Sequence, residues 1–164
     1  MTQKEYNRCA AGLADDIMRF AASCCSSRED CEDAVQKAFA VLWQRRGSVE
    51  VHKAKSFLFS TVYRQLLQTF RHQRTVQRHA PYLTGSYAVE PDTDFDLRSA
   101  IAMAMDTLPG VQRAILHLRD VEGYSYREIG ENLGLDDDRV QVYLFRARVA
   151  MRRQLKSMGY DNNR

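Results

Sequence analysis

Proline is scarce and tryptophan almost absent: three prolines and one tryptophan in 164 residues. Two of the prolines, Pro81 and Pro91, share one short stretch. Most of the chain on either side therefore lacks the residue that breaks helices most strongly. No apolar run approaches the roughly 20 residues needed to span a bilayer, and the N-terminus has no signal-peptide pattern. No membrane insertion and a cytoplasmic location are the resulting expectations. P-loop, dinucleotide fingerprint, H-E-x-x-H and Gly-x-Ser-x-Gly are all missing. His52, His72, His79 and His117 pair with no carboxylate or thiol at a useful spacing, so neither an enzyme nor a cofactor is expected. The four cysteines (Cys9, Cys24, Cys25, Cys31) match no paired C-x-x-C zinc pattern, and no metal is expected. In a reducing compartment they stay free thiols, whose ordinary role is that of small buried residues.

Acid is missing in blocks. The net charge of +3 is modest, but its distribution is uneven. Between Val51 and Val89 there is no Asp or Glu, against Lys53, Lys55, Arg64, Arg71, Arg74 and Arg78. From Arg139 to Tyr160 the same holds, with Arg139, Arg146, Arg148, Arg152, Arg153 and Lys156. Acids gather instead at Glu29 to Asp33, Glu90 to Asp96 and Asp136 to Asp138. One basic run is ordinarily a solvated helix face; two long acid-free blocks point to two phosphate-facing surfaces.

What is present is helical periodicity throughout. A first helix is predicted from about Glu5 to Cys24, with Leu13, Ile17 and Phe20 on one face. A second, capped within Ser26, Ser27 and Asp30, runs to about Gln44 through Val35, Ala38, Phe39 and Leu42, ending at Gly47. A third runs from near Ala54 to about Arg74 through Phe57, Leu58, Thr61, Val62, Leu66 and Phe70, and its last turns are basic. From His79 to Asp96 the pattern collapses into a polar linker holding Pro81, Gly85, Ser86 and Pro91. Beyond it, Leu97 to Thr107 forms a helix. Pro109 suits the first position of the next, whose face continues through Ile115, Leu118 and Val121. The expected architecture is all-α: a domain over 1–78, a flexible linker over 79–96 and a second domain over 97–164. Each is near the lower size limit for a core of its own, so docking on a larger partner is expected.

The second domain carries the most specific signal. Ser125 can cap a helix, with Glu128 completing a capping box. Ile129 and Leu133 share a face, and Gly134 permits the turn that ends the helix. Asp136 caps the next helix, whose apolar face is Val140, Leu144 and Ala147. Helix, Gly-containing turn and helix make a helix-turn-helix, whose second helix enters the major groove.

Taken in order, these elements resemble the extracytoplasmic function group of sigma-70 RNA polymerase σ factors, which carry only regions 2 and 4. The run Asp30-Cys31-Glu32-Asp33-Ala34-Val35-Gln36-Lys37-Ala38-Phe39 is similar to the family's D-x-E-D-x-x-Q-x-x-F signature. Leu108-Pro109, Arg113, Glu122 to Gly130 and Leu144-Phe145-Arg146-Ala147-Arg148 track its region 4. The resemblance implies that Asp30, Glu32, Asp33, Gln36 and Lys37 face core RNA polymerase at the β′ clamp, with the β flap as a further contact. It implies that the third helix melts and reads the −10 element through Phe57, Phe59, Tyr63, Arg64, Gln68, Arg71 and Arg74. Region 4 would read the −35 element through Tyr126, Arg127, Arg139, Gln141, Tyr143, Arg146 and Arg148. The acidic linker (Glu90, Asp92, Asp94, Asp96) would thread the polymerase channel, and an anti-σ factor is a candidate partner.

Two departures stand out. The family commonly has Arg-Asn where this chain has Tyr63-Arg64, and an Asp in place of Gln68. Three carboxylates, Asp136 to Asp138, open the recognition helix where the family usually has a Ser and small residues. They suit a helix N-terminus but repel phosphate. Two other readings stay in view: a σ-like adaptor recruited by another protein, and a freestanding regulator. The second needs a dimer interface, for which no surplus apolar stripe is evident.

Overall fold

The computed structural model describes the backbone of residues 1–79 and 97–160, and side chains for 1–72 and 97–160. Among these residues there are helices and no strand. They are α1 (Gln3–Cys24), α2 (Arg28–Gln44), α3 (Ala54–His79), α4 (Leu97–Asp106), α5 (Gly110–Leu116), α6 (Tyr126–Leu133) and α7 (Asp137–Ser157). A 3₁₀ turn over Val51–Lys53 leads into α3, and a π-helical turn over His117–Val121 follows α5.

Local chemistry sets most of the boundaries. Thr2 and Glu5 form a capping box on α1, and the Ser27 hydroxyl accepts from the Asp30 amide to start α2. α3 runs five residues past Arg74, to His79, because no Gly or Pro interrupts the sequence there. The predicted linker thus loses its first residue, and 80–96 lies outside the described residues. Pro109 is the N-cap of α5 rather than its first residue.

In the N-terminal half, α2 and α3 pack against each other and on α1. Ile17, Phe20, Ala38, Leu42, Leu58, Phe59, Val62 and Leu66 are wholly buried, while Leu13 is only partly so. Phe20 and Phe59 meet edge to face, centroids 4.8 Å apart; truncating either to Ala costs about 3–5 kcal/mol. The C-terminal half buries Ile115, Leu118, Ile129, Leu133, Val140, Leu144 and Ala147. Val121 departs from expectation and is 67% exposed. The π-helical turn changes the register after Leu116, so the 3.6-residue spacing no longer carries Val121 inward.

Each half is small, and the two also dock on one another. α5 lies against α1, and α6 against α3. The Phe20 ring meets His117 and the Phe59 ring meets Tyr124, each edge to face. One continuous set of buried side chains runs through both halves.

Candidate nucleic-acid interface

The helix-turn-helix forms as its caps dictate. Ser125 Oγ accepts from the Glu128 amide at 3.1 Å, and the Ser125 amide donates back to Glu128 Oε2 at 2.8 Å. Gly134 ends α6 with φ 71, and Asp136 Oδ1 accepts from the Arg139 amide at 2.8 Å. Between the helices the chain doubles back tightly. A Cβ on Gly130 would sit 2.4 Å from the Leu135 carbonyl oxygen, an approach only glycine permits.

On α7, Arg139, Gln141, Arg146 and Arg148 are exposed and Tyr143 is half-buried. Arg148 reaches Asp120 at 2.9 Å, so an acidic partner already occupies it. On α6, Arg127 is exposed and sits 3.5 Å from Glu131, while Tyr126 packs under the Arg119 guanidinium, 4.7 Å from the ring centre. The carboxylates of Asp137 and Asp138 fall in the first turn of α7, beside Arg139.

α3 divides the predicted −10 set in two. Arg64, Gln68 and Arg71 are exposed at i, i+4 and i+7 spacing, hence along one stripe. Phe59 is wholly buried and Tyr63 only 4% exposed, because they point to the opposite, core-facing side. In this arrangement neither is available for direct contact with DNA. Burial also pushes the Tyr63 phenol up to about 12, so it remains protonated. Phe57 is half-buried and lines a cavity of about 330 Å³ with Arg45, Ser48, Val49, Glu50 and Lys53. The side chain of Arg74 lies outside the described residues.

On the N-terminal helices, Asp33, Gln36 and Lys37 are exposed, while Asp30 and Glu32 are partly so. Asp33 and Lys37 pair at 2.8 Å, and Glu32 takes the Arg28 guanidinium at 2.9 Å. The five predicted polymerase-facing residues thus lie within the first three turns of one helix.

The docking contacts between the halves give several residues a role that the sequence did not indicate. Arg113, 6% exposed, donates to the Ser23 carbonyl at 2.6 Å, to Ser26 Oγ at 3.3 Å and to Asp106 at 3.2 Å. Lys55 bridges Asp16 at 2.9 Å and Glu122 at 2.8 Å. Burial pulls its ammonium down, but the two carboxylates outweigh that and hold it above the ordinary lysine value. Asn132 accepts from Ser56 Oγ at 2.5 Å, and its carbonyl accepts from Ser60 Oγ at 2.6 Å. Ser23 Oγ and His117 Nδ1 lie 2.8 Å apart. Two histidines sit near carboxylates after all: His52 is 3.3 Å from Glu50 and His117 3.7 Å from Glu122. His52 is exposed, and His117 is buried against Phe20.

An apolar stripe on α7 also corrects the expectation that none was spare. Val142 (45%), Phe145 (70%) and Val149 (36%) are exposed at i, i+3 and i+7 spacing. The signal for it was present: α7 has more apolar residues than its buried face can take. Among the described residues no group of three or more His, Cys, Asp or Glu side chains could hold a metal ion. No helix there is long and apolar enough to cross a membrane.

Comparison with known proteins agrees with this geometry. The family model described as sigma-70 region 2 matches residues 11–76, and that described as sigma-70 region 4 matches residues 98–151. The chain is 28% identical over 166 residues to the probable RNA polymerase sigma factor RfaY of Xanthomonas campestris pv. campestris, covering 93% of this chain and 41% of that protein. It is 24% identical over 150 residues to the ECF RNA polymerase sigma-E factor of Haemophilus influenzae, covering 80% and 78%. With the ECF sigma factor SigE of Mycolicibacterium smegmatis the identity is 27% over 148 residues, covering 85% and 57%. Two of these three relatives are thus matched over less than two thirds of their length. In fold, the chain is similar to the sigma factor RpoE of Bartonella quintana, whose structure is a complex with the anti-sigma factor NepR. The TM-score is 0.77 at 24% identity, over 93% of this chain and 98% of that one.

Proposed function

The chain belongs to the sigma-70 family, in its extracytoplasmic function group, and from that premise we propose that it is a promoter-specificity subunit of RNA polymerase. It binds the core enzyme through the acidic start of α2, opens and reads the −10 element along α3, and sets α7 in the major groove of the −35 element. The bond-making chemistry belongs to the polymerase, so this subunit has no catalytic residues of its own. Its place of work is the cytoplasm, with the polymerase.

The observation that carries this reading is the exposed stripe of Arg64, Gln68 and Arg71 on α3 together with the capped helix-turn-helix ending in Arg146 and Arg148. The basic side chains supply phosphate contacts, and Gln141 and Arg139 can address base edges. The cavity beside Phe57 suits an extruded base, with an aromatic face to stack on and basic groups for the backbone.

Promoter binding requires the two halves to separate. The −10 and −35 elements lie some 25 base pairs apart, about 85 Å along the duplex at 3.4 Å per step. A compact chain of this length has a radius of gyration of about 15 Å, too small to touch both. Residues 80–96 can reach at most about 60 Å when extended, which with two domains spans the distance. The docked arrangement therefore corresponds to the free protein. Separation would expose Phe59, now covered in part by Tyr124.

The apolar stripe of Val142, Phe145 and Val149 supports a protein partner on the same module, either the polymerase β flap or an anti-σ factor. Run-off transcription with purified core polymerase tests the main reading. Transcripts with a defined start, dependent on this protein, are expected. DNA binding without core enzyme, or no activity until another protein is added, would replace it with the regulator or adaptor reading.

A further inference from the structure

The apolar stripe of α7 runs along the midline of that helix's outer face. On its inner side α7 buries Val140, Leu144 and Ala147, each at most 2% exposed. At about 100° per residue, Val142 and Val149 point within about 15° of the direction opposite this core face, and Phe145 about 50° from it. Polar side chains lie to either side of that midline. Arg139 and Arg146 fall on one flank, Gln141 and Arg148 on the other, and all four are exposed.

This is the layout of a helix lying in a groove. A helix roughly 10–12 Å across fills a major groove about 12 Å wide. Its outer midline then meets base edges, while its flanks meet the two phosphate walls. The N-terminal part of a recognition helix makes the base contacts. Val142 and Phe145 stand in the second and third turns of α7, whereas Val149 lies a turn further on. The major-groove base edges offer donors, acceptors and one apolar group, the C5 methyl of thymine. An apolar side chain laid over donors and acceptors strips their water and returns no hydrogen bond. Laid over a methyl, it buries apolar surface on both partners.

We propose that Val142 and Phe145 are specificity residues that read thymine methyl groups in the −35 element, an inference resting on the reading of α7 as the −35 helix. Gln141, on the adjoining flank, suits the adenine of a neighbouring pair, so the preferred element carries A·T pairs beneath the second and third turns. The discrimination involves no charge, and salt leaves it unchanged. A stripe engaged with DNA is closed to protein, so only a partner that displaces the promoter can cover it.

Holoenzyme assembled from the full chain and core polymerase selects duplexes from a pool randomised across the −35 region. The selected duplex is remade with uracil for each thymine in turn, which deletes one methyl and keeps every hydrogen-bonding group. At one or two positions binding is expected to weaken about three- to fivefold, the value of a buried methyl. That loss should vanish in Val142→Ser or Phe145→Ala, with the slope of log K against log salt unaltered. Both side chains are exposed, so neither change touches the core. Uracil without effect at every −35 position, or with equal effect in the wild type and both variants, would overturn the proposal. So would weaker binding of Val142→Ser to core polymerase with the uracil response intact, which assigns the stripe to a protein partner. Failure to select any −35 sequence, with no start-specific transcript, would instead remove the promoter reading and this inference with it.

Discussion

Lys55 on α3 and Glu122, just past the π-helical turn, are joined at 2.8 Å across the boundary between the two halves. The lysine side chain is 32% exposed and the glutamate 12%, so solvent weakens the attraction without removing it. Lys55→Met leaves Glu122 largely buried without its cationic partner, beside a neutral His117. Docking is expected to weaken by roughly 1 kcal/mol, about a fivefold gain in the separated population. Energy transfer between dyes placed on α2 and α7 reads this directly; an unchanged distance distribution would refute it.

His117 gives docking a pH dependence. Burial lowers its pKa below the ordinary 6.5, partly opposed by Glu122, so the packed imidazole is neutral. A separated, hydrated His117 takes up a proton that the packed one refuses. The sign follows: this contribution is complete above 6.5 and lost as pH falls below it toward the depressed value. Protection factors on α1 and α5, corrected for the intrinsic slowing of amide exchange with falling pH, are expected to drop between pH 7.5 and pH 5.5. The His117→Asn variant should show a flatter profile, and equal slopes in both proteins would contradict the assignment.

Phosphate and base contacts on α7 separate by their salt response. Arg146→Ala should weaken binding to every duplex alike and lower the slope of log K against log salt by about 1. Gln141→Ala should leave that slope unchanged and lose about 1–3 kcal/mol of preference at one base pair. Fluorescence anisotropy on the polymerase-bound protein, across a set of single-base −35 variants, distinguishes the two patterns.

The acidic start of α2 is tested by Asp33→Lys. Asp33 is exposed and pairs with Lys37 on its own helix, so the change leaves the core intact. Affinity for core polymerase is expected to fall about tenfold, measured by competition with a labelled σ subunit. Helical circular dichroism should be unaltered. Unchanged affinity would move the polymerase contact elsewhere.

What the sequence disclosed and what it withheld divide by range. Ser125, Glu128, Gly134 and Asp136 act within four residues of themselves, and all four caps form where their spacing places them. Ser27 does the same for α2. The docking residues escaped because their partners are 72 to 94 positions away: Asn132 with Ser56 and Ser60, Arg113 and His117 with Ser23. No local rule connects such pairs. Val121 was misassigned because a π-helical turn shifts the periodicity. Phe59 and Tyr63 carry an aromatic signal that suits base stacking and core packing equally, and in the docked chain packing prevails.

Asn132 belongs to the first helix of the helix-turn-helix, yet it takes hydrogen bonds from Ser56 and Ser60 on α3, the helix proposed to open the −10 element. On the proposed reading, the upstream and downstream readers are therefore each other's competitors. Whatever prises one away relieves the other of that rivalry, so occupancy at either promoter element raises affinity at the other by an equal factor. Such reciprocity makes promoter choice an AND decision, in which a lone half-match is penalised twice.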